Sequence, residues 1–242
     1  MSRTVVVTGG AKGVGRAVVQ RFAALGDEVV ALGRDREALA RLEVRSAVCD
    51  VTDEDAVAHT FGELGEIDVL VNNAGVAESA PLARTTLTSW AHHFDVNVTG
   101  PFLCMRAVVP GMRERERGAI VTVASIAGRI GTPYTSAYTS SKHAAVGLTR
   151  AVASELAGTG VRVNAVCPTY VRTELTSRAI SRIVEATGRT PEQSKDALIH
   201  QSPLGRLLEP EEVADAVVFL ASPAAAAING QALVIDGGGV QA

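Results

Sequence analysis

Aromatic residues are scarce in this 242-residue chain: one tryptophan, three tyrosines and five phenylalanines make up 4% of it. So few rings cannot supply the stacking platforms on which single-stranded nucleic acid is held. A formal net charge of −3 offers no basic field for phosphate backbones either, so nucleic acid is not an expected partner. Cysteine is also rare. Cys49, Cys104 and Cys167 are odd in number and contain no C-x-x-C pair, which fits buried thiols in a reducing compartment better than disulfides. The five histidines, His59, His92, His93, His143 and His200, show no metal-ligand spacing, so no metal is expected. The longest apolar run, residues 216–228, is too short to span a bilayer and is broken by Pro223, and the N-terminus has no apolar signal-like segment. No membrane partner is expected, and the predicted location is the cytoplasm. Linker-like tracts, repeats and blocks of like charge are missing as well, which leaves a single domain over residues 1–242.

What the chain does have is a regular alternation. Short β-branched runs at residues 5–7, 29–32, 44–49, 69–71, 119–123, 162–166 and 232–235 read as strands. Between them, apolar residues recur at helical spacing over 14–25, 36–42, 53–64, 138–156 and 211–221, with one long helix expected over 87–112 despite Gly100-Pro101. Strands alternating with helices imply βαβ units joined by right-handed crossovers. The fold class is therefore α/β: a single doubly wound Rossmann-type domain, a parallel sheet of about seven strands with helices on both faces. In residues 174–203 the rhythm gives way to two helices around a Gly188-Arg189-Thr190-Pro191 break, a candidate substrate lid.

In such a sheet, ligands sit beyond the carboxyl ends of the strands. The residues there are Gly9 to Gly15, Gly33-Arg34, Asp50-Val51, Asn72 to Gly75, Ser125 and Pro168 to Thr173. Thr8-Gly9-Gly10-Ala11-Lys12-Gly13-Val14-Gly15 joins the first strand to a helix, where glycines admit a close ligand and the first free N–H groups favour an anion. A tight turn with no ligand would use the same glycines. Tyr138 and Lys142 lie four apart on one helix face, so the ammonium is expected to lower the phenol pKa and make it a usable proton donor and acceptor. Ser125 follows the fifth strand, and a Gly- and Thr-containing loop leads from it towards Tyr138.

Taken in order, Thr8-Gly9-x-x-x-Gly13-Val14-Gly15, Asp50-Val51, Asn72-Asn73-Ala74-Gly75, Asn97, Ser125, Tyr138-x-x-x-Lys142, Pro168 to Thr173 and Asp236-Gly237-Gly238 closely resemble the classical short-chain dehydrogenases/reductases over essentially the whole length. The resemblance implies hydride transfer between a nicotinamide and a ketone or secondary alcohol. It assigns proton transfer to Tyr138, pKa lowering and ribose binding to Lys142, a hydrogen bond to the substrate oxygen to Ser125, and a water-linked relay behind Lys142 to Asn97. A kink-stabilising role for Asn97 is compatible with that. Gly9, Lys12, Gly13, Val14 and Gly15 would cradle the nucleotide, Asp50 and Val51 receive its adenine, and Asn73, Ala74 and Gly75 line it. Pro168, Val171 and Thr173 complete the nicotinamide end. Thr169 departs from the family pattern, which usually has glycine after the proline.

Gly33 stands at the usual acidic position of the second strand and Arg34 follows it, with Lys12 as a second cation. NADP(H) is therefore favoured, with NAD(H) admissible because Asp35 is adjacent. Among family members the motifs are most similar to 3-oxoacyl-thioester reductases and 3-hydroxyacyl dehydrogenases. Ala77 and Ala127, where hydroxybutyrate-type enzymes place polar groups, disfavour a small free hydroxy acid. The expected substrate is an acyl thioester or another small-molecule ketone or alcohol; a cyclic or polyketide-type ketone and a non-catalytic nucleotide-binding regulator are the alternatives. The resemblance also implies a homotetramer, for which residues 103–109 and 144–152 offer apolar faces that a buried core would equally explain.

Overall fold

In the computed structural model, which describes residues 2–200 and 202–240, seven strands form one parallel sheet in the order β3-β2-β1-β4-β5-β6-β7. Position 201 of the candidate lid and the extreme ends of the predicted domain lie outside the described residues. The strands are β1 (Thr4–Thr8), β2 (Glu28–Gly33), β3 (Arg45–Val48), β4 (Val69–Asn72), β5 (Gly118–Val123), β6 (Val161–Pro168) and β7 (Ala232–Ile235). The helices are α1 (Gly13–Ala24), α2 (Arg36–Ala40), α3 (Glu54–Leu64), α4 (Leu87–Phe94), α5 (Gly100–Glu114), α6 (Ser136–Glu155), α7 (Glu174–Thr187), α8 (Pro191–Ile199) and α9 (Pro210–Ala221).

Successive side chains of a strand point to opposite faces, so the Val5-Val6-Val7 run feeds two cores at once. Val5 and Val7 pack with Val18 and Phe22 of α1 and Val213, Val217 and Leu220 of α9. Val6 joins Phe61 of α3, Leu103, Met105 and Met112 of α5, and Leu156 after α6 on the other face. All three valines are 0% exposed, which explains why central strands read as continuous apolar runs rather than alternating ones. The strand order reverses on either side of β1, which lies between β2 and β4, and the crevice at that switch point opens at the carboxyl ends.

The long helix expected over 87–112 is divided. Asp95–Thr99 forms a π turn between α4 and α5, and the Gly100 N–H reaches back five residues to the Asp95 carbonyl. Pro101 is the cause: it has no N–H to give to Asn97 one turn earlier, so the regular ladder cannot continue through it. The apolar residues Leu103, Met105 and Val108 lie in the chain's own core, as do Ala145 and Val146 of α6. Among the described residues no helix is long and apolar enough to cross a membrane, and no group of acidic, histidine or cysteine side chains is arranged to hold a metal. The three cysteines are free and buried.

Candidate functional site

Thr8, at the end of β1, fastens the glycine turn to β4. Its buried hydroxyl accepts from the N–H groups of Asn73 (3.0 Å) and Ala74 (3.1 Å), and the Asn73 amide donates back to the carbonyls of Thr8 (2.9 Å) and Gly9 (3.1 Å). Gly9 and Gly13 have φ of 64° and 52°, a left-handed conformation that glycine adopts without strain. A Cβ on Gly15 would lie 2.2 Å from the Gly9 carbonyl oxygen, so α1 seats directly on the turn only because that side chain is missing. A Cβ on Gly13 would stand 3.1 Å from the Thr173 methyl, which places Thr173 against the turn. The start of α1 therefore lies at the carboxyl end of β1, where the first N–H groups of a helix can hold an anion. Val14 lies partly buried against the α1–α9 core, on the helix side of that turn.

At the end of β2, Lys12 pairs with Asp35 at 2.8 Å and Arg34 with Asp50 at 3.5 Å. Asp35 also caps α2 by accepting from the Ala38 N–H, and its carboxyl sits below the usual range because Lys12 and that N–H hold it ionised. Burial works to raise the Asp50 carboxyl, but hydrogen bonds from Thr52 and the charge of Arg34 outweigh it and bring it down. Val51 is buried, its methyl 2.8 Å from where a Gly100 Cβ would lie.

The four residues assigned to catalysis come together at the carboxyl ends of β4, β5 and β6. Ser125 is extended and its hydroxyl accepts from the Ala127 N–H at 3.1 Å. Lys142 is 6% exposed; its Nζ donates to the Val123 carbonyl at 3.0 Å and stands 5.8 Å from the centre of the Tyr138 ring. Asn97 is fully engaged: its Oδ1 accepts from Val76 N–H (2.9 Å), and its Nδ2 donates to the Val76 carbonyl and to Ser141 Oγ (3.0 Å each). That binds the π turn to the loop after β4 and to α6. A Cβ on Gly75 would lie 3.2 Å from Asn97 Oδ1 and 3.5 Å from Lys142 Nζ, so the bare backbone of Gly75 lies directly against both groups.

The expected lowering of the Tyr138 pKa by Lys142 is not seen. Burial raises the phenol above its ordinary value, the hydrogen-bonding side chain of Ser125 opposes that rise, and the neighbouring Tyr170 and Cys167 add to it. Burial also brings Lys142 down to about 8. Desolvation is the largest influence on both groups and disfavours the charged form of each.

Beyond β6, Pro168 is the last strand residue and pairs with Ile235, while Val171 is buried and bridges to Leu208. Thr173 caps α7, accepting from the Thr176 N–H. Thr169 is buried with its hydroxyl unpartnered among the described residues, and nothing in the surrounding packing explains why it replaces glycine.

Sequence reasoning passed over a neighbouring cluster. His93 is fully buried. Its Nδ1 lies 2.7 Å from the Ser89 carbonyl, to which it donates, so its Nε2 is the acceptor for the Glu78 N–H at 3.0 Å. The ring meets the Tyr138 ring edge-on at 6.4 Å. Glu78 in turn pairs with Arg182 of α7 at 3.3 Å, and Arg182 also donates to the Ala77 carbonyl. The one available signal was His93 standing one helical turn before Asn97.

The sequence matches the family described as enoyl-(acyl carrier protein) reductase over residues 9–239. It is 40% identical to the 2-(R)-hydroxypropyl-CoM dehydrogenase of Xanthobacter autotrophicus, covering 98% of each chain. It is 36% identical to the 3-oxoacyl-(acyl-carrier-protein) reductase of Thermotoga maritima, covering 96% of each. The solved structure of a single-substitution variant of the actinorhodin polyketide ketoreductase with NADPH superposes with a TM-score of 0.93 at 34% identity, covering 98% of this chain and 97% of the other.

Proposed function

The chain belongs to the short-chain dehydrogenase/reductase family, and from that premise we propose that it reduces the keto group of a 3-oxoacyl thioester, or oxidises the matching 3-hydroxyacyl thioester, with NADP(H). It is an oxidoreductase that interconverts ketones and alcohols with a nucleotide cofactor. The observation that carries the reading is the gathering of Ser125, Tyr138 and Lys142 beside a glycine turn too tight for side chains. The residues present fit the nucleotide: the left-handed Gly9 and Gly13 lead into the start of α1, whose first N–H groups would hold its phosphates, and Lys142 has N–H groups beyond the one given to Val123. When bound, the nicotinamide supplies or accepts the hydride.

The chain's own residues handle the proton. Tyr138 stays protonated because burial disfavours its phenolate, so at neutral pH it holds a proton to give to the substrate oxygen. Ser125 orients that oxygen, and Lys142 stabilises the phenolate left behind. The Asn97 amide is already committed to Val76 and Ser141, so its part in a relay falls to its main-chain carbonyl, which Pro101 leaves without the usual donor four residues on. NADP(H) preference is supported by Arg34 and Lys12 at the end of β2, by Gly33 in place of an acid, and by Asp35 being engaged with Lys12 and Ala38. Arg182 fastening α7 to the loop after β4 supports α7 and α8 as a lid over the substrate. A homotetramer in the cytoplasm completes the reading; exposed Phe219 on α9 and Leu233 on edge strand β7 are apolar surface available to an interface, and the free thiols suit a reducing compartment.

The test is NADPH and NADH oxidation with acetoacetyl-coenzyme A in the wild type and in Tyr138→Phe. Fast, NADPH-preferring turnover that falls by at least 10²-fold in the mutant is expected for loss of the proton donor. Equal rates in the two proteins refute the assignment. The similarity to a polyketide ketoreductase favours a cyclic or polyketide-type ketone as the second reading, and turnover of such ketones but not of the thioester would select it.

A further inference from the structure

Next to the first turn of α6, two residues before Tyr138, lies a cleft of about 250 Å³ that none of the roles above uses. Its lining includes Glu78 and Ser89, Arg84 from the segment before α4, Tyr134 from the loop before α6, Ser136 at the start of α6, and Arg182 of α7. Glu78 is held ionised, first by the hydrogen bond from Ser89 (2.9 Å) and then by the charge of Arg182. Arg182 and Glu78 therefore neutralise each other. Arg84 has no carboxylate partner among the described residues, so the cleft keeps one uncompensated positive charge.

Its backbone adds to that charge. α6 is 20 residues long and begins at this wall, and the residue before it, Thr135, does not cap it because its hydroxyl is engaged with Thr132 and Thr139. The N–H groups of the first turn and the positive end of the helix dipole therefore border the cleft. Ser136 Oγ is enclosed with no hydrogen-bond partner. Tyr134 forms part of the rim with φ of 63°, a conformation uncommon for a tyrosine, and it is fixed by the Ala80 N–H donating to its carbonyl at 2.7 Å. An unpaired guanidinium, an uncapped helix start and an unsatisfied hydroxyl line one small cleft.

We propose that this cleft is a subsite for an oxyanion, a carboxylate or a phosphate, carried at the non-reacting end of the substrate, with Arg84 as its principal charge partner and Ser136 with the start of α6 as donors. The proposal deepens the ketone-reductase reading, which it uses for the position of the reacting end. It names the substrate class as ketones with an anionic tail.

Binding tests it without turnover. Cyclohexanecarboxylate and its neutral isostere cyclohexanecarboxamide would be titrated calorimetrically into the protein, alone and saturated with NADPH, for the wild type, Arg84→Gln and Arg84→Lys. The carboxylate is expected to bind at least 10-fold more tightly than the amide, with that ratio collapsing to about 2 in Arg84→Gln and recovering in Arg84→Lys. The second arm compares kcat/KM for acetoacetyl-coenzyme A and for neutral acetoacetyl-N-acetylcysteamine. A preference for the coenzyme A ester that depends on Arg84 assigns the cleft to a phosphate, and Arg84 dependence confined to the first pair assigns it to a carboxylate. If neither ratio responds to Arg84, the subsite is overturned. Arg84-dependent carboxylate binding without any ketone turnover would sink the reductase reading and leave the subsite standing; Tyr138-dependent turnover with no Arg84 effect would do the reverse.

Discussion

Replacing Thr8 by valine isolates one oxygen. The shape is nearly unchanged, but the N–H groups of Asn73 and Ala74, at 3.0 and 3.1 Å, lose their common acceptor. Each lost bond to a partly buried N–H costs about 1–1.5 kcal/mol, so the expected loss is roughly 2–3 kcal/mol. With a urea dependence of about 3 kcal/mol per molar for a chain of this size, the unfolding midpoint falls by close to 1 M at fixed protein concentration. Thr8→Ser keeps the oxygen and removes one buried methyl, a loss of about 1 kcal/mol. Amide hydrogen exchange supplies the local readout: Asn73 and Ala74 lose protection in the valine variant and keep it in the serine variant. The Asn73 amide also holds the Gly9 carbonyl, so NADPH affinity should fall in the valine variant as the turn loosens. A valine variant within 0.5 kcal/mol of wild type, or a serine variant as unstable as the valine one, refutes the idea that this hydroxyl fastens the cradle.

Gly15→Ala forces a Cβ to within 2.2 Å of the Gly9 carbonyl oxygen, so nucleotide binding measured by fluorescence should fall at least 10-fold; unchanged affinity would mean the turn yields freely. Arg34→Ala should weaken NADPH 10-fold or more and NADH less than 3-fold in steady-state KM, and equal losses would remove Arg34 from cofactor choice. Arg162 donates to the carbonyls of Leu220 (2.7 Å) and Ser222 (3.1 Å) around the end of α9, so Arg162→Met should lower stability to urea by roughly 2 kcal/mol. Lys142 is about 8 when folded against 10.5 as the ordinary value, so between those pH values the unfolded chain binds the extra proton and stability rises with pH. The rise is at most roughly 3 kcal/mol and should be missing from Lys142→Met; identical pH profiles for the two proteins would refute a buried, destabilised ammonium.

The fold was legible because its central strands are buried on both faces: Val5-Val6-Val7 and Val69-Leu70-Val71 contrast sharply with the amphipathic helices between them. Periodicity was least informative where a single residue breaks a ladder. Residues 87–112 keep helical spacing throughout, yet Pro101 withholds one N–H and the chain answers with a π turn that sets Asn97 towards Val76 and Ser141. Nor does periodicity say which chain an apolar face meets. Leu103, Met105 and Val108 would have served an interface equally well, and they fill the chain's own core.

The chemistry of Tyr138 and Lys142 was legible in position but not in sign. Spacing of four places a cation beside a phenol, and on a solvated helix the attraction would lower the phenol pKa. Burial is a property of the surroundings, which come from β5, the loop after Ser125 and β6, and spacing on one helix cannot report it. Its effect is to push the two groups towards neutrality, Tyr138 upward and Lys142 downward, so in the ligand-free protein they are poised as proton holders rather than as an ion pair. Phenolate then becomes accessible only if further positive charge or hydrogen-bond donors reach the phenol oxygen. Oxidation of an alcohol, which needs the phenolate, should therefore depend more steeply on alkaline pH than ketone reduction does. A plot of log kcat/KM against pH should rise to a plateau for oxidation and stay level, then fall above the tyrosine pKa, for reduction. Superimposable profiles would mean that this tyrosine carries the proton in neither direction.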